Sequence, residues 1–393
     1  MTSRERILAA IHHQPVDRVP FDLYDEAGDV FRDGRYRPEL RLGMTLPEQF
    51  QARLEFQRRF GTDLIFDVPV AVATMVPAKT TVLADGKPVP EIEAAPSVSG
   101  MAWQGWMPRV APLFARGAAK VARLTEWANG LRYLEMIAAD SGTCASAQPM
   151  ASTLDDLPRL QEIAEPDLAA VDGSYIRLGR ASAPDVALST TICGPFSMWT
   201  VAFGFERGFE LLVDEPDAAE RGIMAFARAA ARTGAEMVRQ GADIVRIGEA
   251  NSCLVSPALF RRFALEPLRL VVEAVREAGG HACLHMCGRV AHLLDLAAET
   301  GAPIFETLTP PPSGDVTLAE AKATVGSRMC LKGNLDPVHV VAQGAPELVA
   351  ERTRECLQIG AAGGGFILSV ADCLAPGTPE RNLQVIAQVA HGL

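Results

Sequence analysis

Eight short apolar runs constrain the fold of this chain most strongly. In the second half of the chain they are separated by long segments with helical spacing. In chain order, the runs are Val19–Leu23, Asp63–Asp67, Val186–Cys193, Ala242–Gly248, His281–Met286, Ala302–Glu306, Arg328–Lys332 and Phe366–Val370. The helical segments are Asp217–Gln240, Pro257–Ala278, Val290–Thr300, Ala345–Ile359 and Thr378–His391. Strands alternating with helices imply parallel strands joined by crossover helices. Eight strands favour an α/β fold of the (β/α)8 TIM-barrel type over an open doubly wound sheet.

The region from about residue 69 to 182 interrupts this alternation. It contains several prolines and alternating stretches such as Lys79–Leu83 and Leu131–Ile137, which are typical of short strands. We therefore expect an insertion of strands and loops after the second barrel strand. No linker rich in glycine and serine divides the chain, so we expect one domain over residues 1–393.

The chain is acidic, with 37 Lys and Arg against 48 Asp and Glu and a formal net charge of −11. Without a block of basic residues, it is not expected to bind nucleic acid or an anionic membrane. Its apolar stretches are far shorter than the roughly 18 residues of a membrane helix, and its N-terminus lacks the apolar segment of a secretory signal. We expect a cytoplasmic protein whose eight cysteines are mostly reduced.

Histidine and cysteine alternate in the fifth apolar run. His281, Cys283, His285 and Cys287 occupy every second position, so in a strand their side chains point to the same face. In a parallel barrel that face can be the interior, and the last two residues then lie at the C-terminal mouth. An imidazole and a thiolate at this spacing can bind one Zn²⁺. The spacing alone does not distinguish a zinc site from packing, because cysteine is commonly buried as a small apolar residue.

Two further strand ends carry suitable donor atoms. Glu306 closes the sixth apolar run, and Cys373 follows the eighth. A carboxylate at the end of an apolar strand is better explained by a site at the barrel mouth than by folding. We therefore predict that His285, Cys287, Glu306 and Cys373 form a tetrahedral zinc site. Glu249, at the end of another strand, is the competing fourth ligand, or it binds substrate or transfers a proton.

Three residues at the ends of the first two apolar runs are candidate substrate contacts. They are Asp22, Tyr24 and Asp67. Capping of a helix or anchoring of a neighbouring element explains these residues equally well.

Short motifs spread over nearly the whole chain carry a resemblance to a known family. The motifs are Arg4–Ile11, Pro15–Phe21, Gly194–Phe196, Gly241–Asp243, Ser256–Pro257, His285–Gly288, Gly333–Asp336 and Pro379–Leu383. On these motifs the chain resembles the uroporphyrinogen decarboxylase superfamily, in particular its zinc-dependent, corrinoid-linked methyltransferase branch. That branch includes methylcobalamin:coenzyme M methyltransferases. The resemblance implies a (β/α)8 barrel, in agreement with the eight runs.

The resemblance also implies a set of zinc ligands. The methyltransferase branch carries His-x-Cys, followed much later by Cys, and these positions correspond to His285, Cys287 and Cys373. The order of residues is also similar to the zinc site of cobalamin-independent methionine synthase. In that site a glutamate fills the position matched by Glu306.

One segment departs from the pattern of true uroporphyrinogen decarboxylases. Those enzymes resemble one another in an N-terminal Pro-x-Trp-x-Met-Arg-Gln-Ala-Gly-Arg signature, whose arginines bind the carboxylates of the porphyrinogen. The corresponding segment here, residues 20–28, reads Pro-Phe-Asp-Leu-Tyr-Asp-Glu-Ala-Gly. Arginines are absent and acidic residues are present, which argues against a polyacidic tetrapyrrole substrate.

The resemblance implies a methyl-transfer activity in which zinc acts as a Lewis acid. A methyl group would move between a small O-, N- or S-methyl donor and a corrinoid (cobalamin) or thiol acceptor. The expected partners are the small-molecule donor and a corrinoid protein, and the sequence leaves a homodimer open. Two alternatives remain: a decarboxylase or lyase of the same barrel that uses no zinc, and a non-catalytic homologue that binds a corrinoid protein.

Overall fold

Seven parallel strands form the central sheet of the protein. The computed structural model describes residues 1–25, 28–37, 44, 46–68, 71–72, 79–84, 87–88, 119–126, 132–138, 144–148, 150–151, 153–164 and 171–392. In chain order, the parallel strands are Leu64–Ile65 (β1), Ala187–Cys193 (β2), Ile244–Gly248 (β3), His281–Met286 (β4), Ile304–Thr307 (β5), Cys330–Leu335 (β6) and Phe366–Val370 (β7). Each strand pairs with the one that precedes it in sequence, as the alternation of strands and helices predicts.

The segment around Phe21 closes this sheet into a barrel. Phe21 forms a parallel bridge with Leu368 of β7, and the backbone N–H of Leu368 donates to the carbonyl of Pro20 at 2.9 Å. On its other side, the carbonyl of Phe21 accepts from the N–H of Asp63, also at 2.9 Å. The segment therefore fills the eighth position, between β7 and β1, and the predicted (β/α)8 barrel is confirmed.

Helices surround the barrel, and their bounds are as follows. The α-helices are Ser3–Ile11, Leu46–Phe60, Leu157–Ala164, Ser174–Ser182, Pro195–Phe203, Phe205–Asp214, Pro216–Arg239, Pro257–Phe260, Glu266–Glu277, Leu294–Glu299, Leu318–Thr324, Pro346–Ala361 and Glu380–His391. Shorter 3₁₀ turns are Leu154–Asp156, Ala250–Leu254 and Ala291–Leu293, and π-helical turns are Arg261–Leu265 and Pro337–Ala342. None of the helices in the described ranges is long and apolar enough to cross a membrane.

Strands also occur within the region where the sequence predicts an insertion. A five-stranded antiparallel sheet has the order Lys87–Pro88, Lys79–Ala84, Ala119–Glu126, Arg132–Ala138 and Cys144–Gln148. The two stretches with alternating polarity thus form strands, since this pattern suits a pleated backbone. A separate antiparallel pair joins Ala71–Val72 to Val171–Asp172, and a small hairpin joins Phe31–Arg32 to Arg35–Tyr36. The assignment of residues 1–393 to one domain with an insertion at about 69–182 stays a prediction.

Asp63 ties the N-terminal helix and the closing segment to the start of β1. Its carboxylate is fully buried and accepts from Arg6 Nη1 at 2.7 Å and from Arg18 Nη1 at 2.6 Å. It also accepts from the backbone N–H of Phe21 at 3.0 Å. These bonds fix the segment that closes the barrel.

Replacing Asp63 by alanine is expected to lower the free energy of unfolding by about 3–5 kcal/mol, because Arg6, Arg18 and the N–H of Phe21 all lose a buried acceptor. Asp17→Ala is the matched control. Asp17 also bonds Arg6 but is 45% exposed, so its loss should cost about 1 kcal/mol or less. Urea unfolding of both variants measures the difference. Equal losses would show that Asp63 does not anchor the closing segment.

Candidate functional site

Three buried residues lie at the same level on neighbouring barrel strands. In the sheet register, His285 of β4 is opposite Glu306 of β5, and Glu306 is opposite Lys332 of β6. Residues at matching positions of a parallel sheet point to the same face. Their side chains meet inside the barrel, where His285 Nδ1 lies 3.0 Å from Glu306 Oε1.

Two acidic and two basic side chains form what we call the interior charge cluster: Asp22, Arg246, Glu306 and Lys332. None of the four is more than 8% exposed. Lys332 Nζ lies 2.8 Å from Asp22 Oδ2 and 2.9 Å from Glu306 Oε2. Arg246 Nε donates to Glu306 Oε1. The formal charges balance, as is expected of charges removed from water.

In this cluster, the ionic contacts change the pKa values of Glu306 and Lys332 more than burial does. Burial alone would raise the pKa of the Glu306 carboxyl, but Lys332 and Arg246 hold that pKa well below its usual value. Burial would also lower the pKa of Lys332, but Asp22 and Glu306 hold that pKa above its usual value. At neutral pH, Glu306 is therefore a carboxylate that can only accept hydrogen bonds.

Tyr24 joins the interior charge cluster to His285. Its hydroxyl accepts from Arg246 Nη2 and lies 2.9 Å from His285 Nδ1. Its ring packs against Lys332, whose Nζ is 4.8 Å from the ring centre. The backbone of Tyr24 has a φ of +50°, a conformation that costs free energy for a residue other than glycine. The surrounding contacts compensate for this strain and hold the hydroxyl beside the imidazole.

One ring nitrogen of His285 is engaged and the other is available. Because the Glu306 carboxylate can only accept, Nδ1 of His285 must carry the proton that joins them. Nε2 makes no hydrogen bond to any side chain or backbone group of the described residues. A neutral imidazole with its proton on Nδ1 carries the lone pair on Nε2, which is the form in which histidine binds a metal.

Cys287 and Cys373 lie just beyond the C-terminal ends of β4 and β7, and both are half-buried. Burial, together with the nearby carboxylate of Asp372, raises the pKa of the Cys287 thiol. Asp372 Oδ1 also accepts from the backbone N–H of Cys373 at 2.8 Å. Asp372 therefore connects the loops that carry the two thiols.

The donor atoms of His285, Cys287 and Cys373 are of the types that zinc prefers, one imidazole nitrogen and two sulfurs. Glu306 differs from them, because both its oxygens already contact cationic side chains. Within the described ranges, no three His, Cys, Asp or Glu side chains are grouped as they would be around a metal ion. The predicted four-residue zinc site is not assembled as such, and its ligand assignment stays a prediction.

Glu249 lies at the N-terminus of the helix Pro195–Phe203. Its Oε2 accepts from the N–H of Phe196 at 3.1 Å, and its Oε1 accepts from the N–H and hydroxyl of Ser197 at 2.7 and 2.8 Å. The side chain is fully buried, and burial raises its pKa to about 7 in spite of these bonds. Glu249 therefore accepts hydrogen bonds from N–H groups at a helix N-terminus, which have no partner within the helix.

Replacing Glu249 by alanine is expected to lower the free energy of unfolding by about 1–3 kcal/mol, because buried N–H groups lose their acceptor. Metal content should not change. Glu347→Ala is the control, since Glu347 is an exposed acid in the first turn of the helix Pro346–Ala361. Chemical unfolding and metal analysis report the two effects. Loss of bound zinc from Glu249→Ala would instead support Glu249 as the fourth ligand.

The predicted substrate contacts occupy different environments. Asp22 and Tyr24 are committed to the buried contacts described above, whereas Asp67 has a side chain 25% exposed that lies 3.3 Å from Arg53. Among the acids of residues 20–28, Asp25 is buried and accepts from the hydroxyl of Tyr36 at 2.9 Å. Glu26 lies outside the described residues. A role in substrate binding stays a prediction for all three candidates.

Sequence reasoning missed Arg246 and Lys332. Each belongs to an apolar run that overlaps an observed strand, Ile244–Gly248 for Arg246 and Cys330–Leu335 for Lys332. A charged residue within a fully buried strand is itself a signal, because it needs a partner of opposite charge inside the protein. Which partner it meets depends on the register between strands.

Several known proteins are similar to this chain. The methylcobamide:CoM methyltransferase MtaA of Methanosarcina barkeri is 27% identical over 206 residues, which cover 52% of this chain and 57% of that protein. A uroporphyrinogen decarboxylase of Gloeobacter violaceus is 28% identical over 189 residues, covering 47% of this chain and 51% of that protein. The chain thus spans about half the length of the curated relatives it matches.

The likeness in structure extends over the whole chain. A solved structure described as a methyltransferase from Methanosarcina mazei aligns with a TM-score of 0.66 and 16% sequence identity, covering 100% of this chain and 99% of that one. This likeness supports the barrel fold. The family model for uroporphyrinogen decarboxylase (URO-D) matches residues 134–393, which is more than half of the chain. The chain therefore belongs to the uroporphyrinogen decarboxylase family.

Proposed function

We propose that this protein is a zinc-dependent methyltransferase. It would act in the cytoplasm and move a methyl group between a small O-, N- or S-methyl donor and a corrinoid or thiol acceptor, with a corrinoid protein as partner. The observation that carries the proposal is the His285 imidazole. Its Nδ1 is held by Glu306 and Tyr24, its Nε2 is available, and Cys287 follows two residues later at the mouth of the barrel. Relatives named as methyltransferases support the same reaction class.

We propose that His285, Cys287 and Cys373 hold the zinc. Glu306 is the fourth ligand that the sequence predicts. When bound, zinc would supply Lewis-acid activation of a substrate thiol or of the methyl-bearing atom. The protein itself orients the imidazole through Tyr24 and Glu306. The side chains of Tyr24 and Glu306 are themselves buried. Among the three predicted substrate contacts, Asp67 has the partly exposed side chain.

The test is an assay of the metal-replete protein. Cob(I)alamin is offered with methanol, methylamines, methoxylated aromatics and methylated sulfur compounds, and formation of methylcobalamin is followed by its absorption spectrum. Methylcobalamin is also offered with thiol acceptors to test the reverse direction. We expect zinc-dependent turnover with at least one donor or acceptor class.

An added assay with uroporphyrinogen, read together with the methyl-transfer assay, separates the alternatives. Release of carbon dioxide from uroporphyrinogen, without methyl transfer and without a need for zinc, would establish a decarboxylase of the same barrel. Binding of cobalamin with no turnover in any combination would indicate a non-catalytic homologue.

A further inference from the structure

We infer that Arg289 binds a single carboxylate of the substrate, so that the small methyl donor has one anionic group attached to an apolar body. This inference rests on the proposed function and narrows its class of donor. Arg289 lies two residues after Cys287, on the loop that leaves β4 at the C-terminal rim of the barrel. In barrels of this type, the loops at this rim carry the groups that contact substrate.

The guanidinium of Arg289 has no partner within the part of the chain that the structure describes. Its side chain is exposed, and no described residue forms a hydrogen bond or an ion pair with it. Other exposed arginines, such as Arg261 and Arg59, form ion pairs with Glu299 at 2.8 Å and with Asp29 at 3.0 Å. Arg289 therefore keeps its five N–H donors for a ligand.

Hydrogen bonds fix the backbone on either side of Arg289. The N–H of Gly288 donates to Thr309 Oγ1 at 3.1 Å, and the N–H of Val290 donates to Asp315 Oδ1 at 2.8 Å. Both acceptors belong to the loop that follows β5. A group on a segment that is already fixed binds its ligand with a smaller loss of conformational entropy. The guanidinium is thus carried by a fixed position on the rim.

The charges near Arg289 favour a ligand with one negative charge. The carboxylate of Asp315 already accepts from backbone N–H groups, and so does that of Asp372. Neither forms an ion pair with Arg289, so one cation on this rim remains unbalanced. A guanidinium matches a carboxylate through two parallel hydrogen bonds. A ligand with many negative charges would instead be repelled by a chain whose net charge is −11.

An exposed apolar side chain lies on the neighbouring rim loop. Leu254 ends the turn Ala250–Leu254, which follows β3, and it is 61% exposed. The two loops are in contact, because His292 Nε2 lies 3.1 Å from the carbonyl oxygen of Val255. Binding sites for small molecules combine apolar surface with a few polar groups that fix the orientation of the ligand. Leu254 and Arg289 offer this combination to a donor with an apolar body and one carboxylate.

The experiment compares matched pairs of methyl donors, one member with a carboxylate and the other without. The pairs are vanillate with guaiacol, and 3-(methylthio)propionate with 3-(methylthio)propanol, each offered with cob(I)alamin to the metal-replete protein. Cobalt(I) supplies the electron pair of the new bond to the methyl carbon, the bond from that carbon to oxygen or sulfur breaks, and the released atom takes up a proton from water. We expect kcat/KM to be about tenfold higher for the carboxylates, since hydrogen bonds to a charged group are lost in the neutral donors.

Arg289→Met is expected to remove this preference, by lowering kcat/KM for the carboxylates about tenfold relative to the neutral donors. Arg289→Lys should retain part of it, because the charge is kept but the planar fork is lost. Arg354→Met is the matched control, since Arg354 is exposed on the helix Pro346–Ala361 and also has no partner among the described residues. Equal rates for charged and neutral donors, or turnover of methanol or methylamines alone, would overturn the inference and leave the proposed function intact.

A binding measurement decides the inference even if the protein transfers no methyl group, an outcome that would count against the proposed function. In ¹⁵N-arginine-labelled wild-type protein, the guanidinium signal of Arg289 is assigned by its absence from Arg289→Met. We expect this signal to shift on titration with vanillate but not with guaiacol. A signal that vanillate leaves in place would refute the inference.

Discussion

His285→Ala is expected to abolish stoichiometric zinc binding and to reduce methyl transfer on the order of 10³-fold or more. The reason is the loss of the imidazole that Glu306 and Tyr24 hold in place. Lewis-acid stabilisation by a bound metal is worth several kcal/mol in the transition state, and each 1.4 kcal/mol changes the rate about tenfold. Metal analysis after removal of loosely bound ions, and the methyl-transfer assay, measure both effects.

His281→Ala is the matched control, because His281 lies on the same strand four residues earlier. It is partly exposed, and its ring nitrogens contact the carbonyl of Asp243 and the ring of His12. The control should retain zinc and activity. A His285→Ala protein that keeps both, or a wild-type protein with clearly less than one zinc per chain, would contradict the proposed site.

Lys332→Met is expected to cost about 3–5 kcal/mol of stability, because it leaves two buried carboxylates without their shared cation. Asp22 and Glu306 both lie within 3 Å of Lys332 Nζ. The double variant Asp22→Asn with Lys332→Met should be more stable than the sum of the single effects predicts, since it removes one of the stranded charges. Denaturant unfolding of the three variants gives the coupling free energy.

Lys322→Met provides the comparison for this loss. Lys322 is half-buried and donates to a single backbone carbonyl, that of Gly364, at 2.6 Å. Its replacement should cost about 1 kcal/mol, the net value of one hydrogen bond. If Lys332→Met costs no more than Lys322→Met, the interior charge cluster is not a tightly coupled unit.

The barrel could be predicted from the sequence because its strands are buried on both faces, and such strands are apolar throughout. Continuous apolar runs of strand length alternate with amphipathic helical segments, and each run falls at a barrel position. Two runs, His281–Met286 and Phe366–Val370, match the observed strands at both ends. The run at Val19–Leu23 forms only a single bridge at Phe21.

The site was predictable only in part, because the partners of a side chain depend on contacts distant in sequence. The His-x-Cys spacing makes His285 a candidate ligand, and this stays a prediction. Nothing local in the sequence indicates that Glu306 meets Lys332 and Arg246. These contacts follow from the register of three strands, which apolar patterning does not determine when both faces are buried. Glu249 illustrates the same limit, since the helix end that it satisfies lies on another element.

The closure of the barrel at Phe21 determines when the site can form during synthesis. Phe21 pairs with Leu368, so the N-terminal segment leaves the ribosome long before its partner strand exists. The same segment carries Asp22 and Tyr24. The contacts of Asp22 with Lys332 and of Tyr24 with His285 therefore form only after that last pairing. Such long-range pairing is slow compared with helix formation. Assembly of the candidate site therefore depends on the last strand of the barrel, since Asp22 and Tyr24 reach their partners only when Phe21 pairs with Leu368.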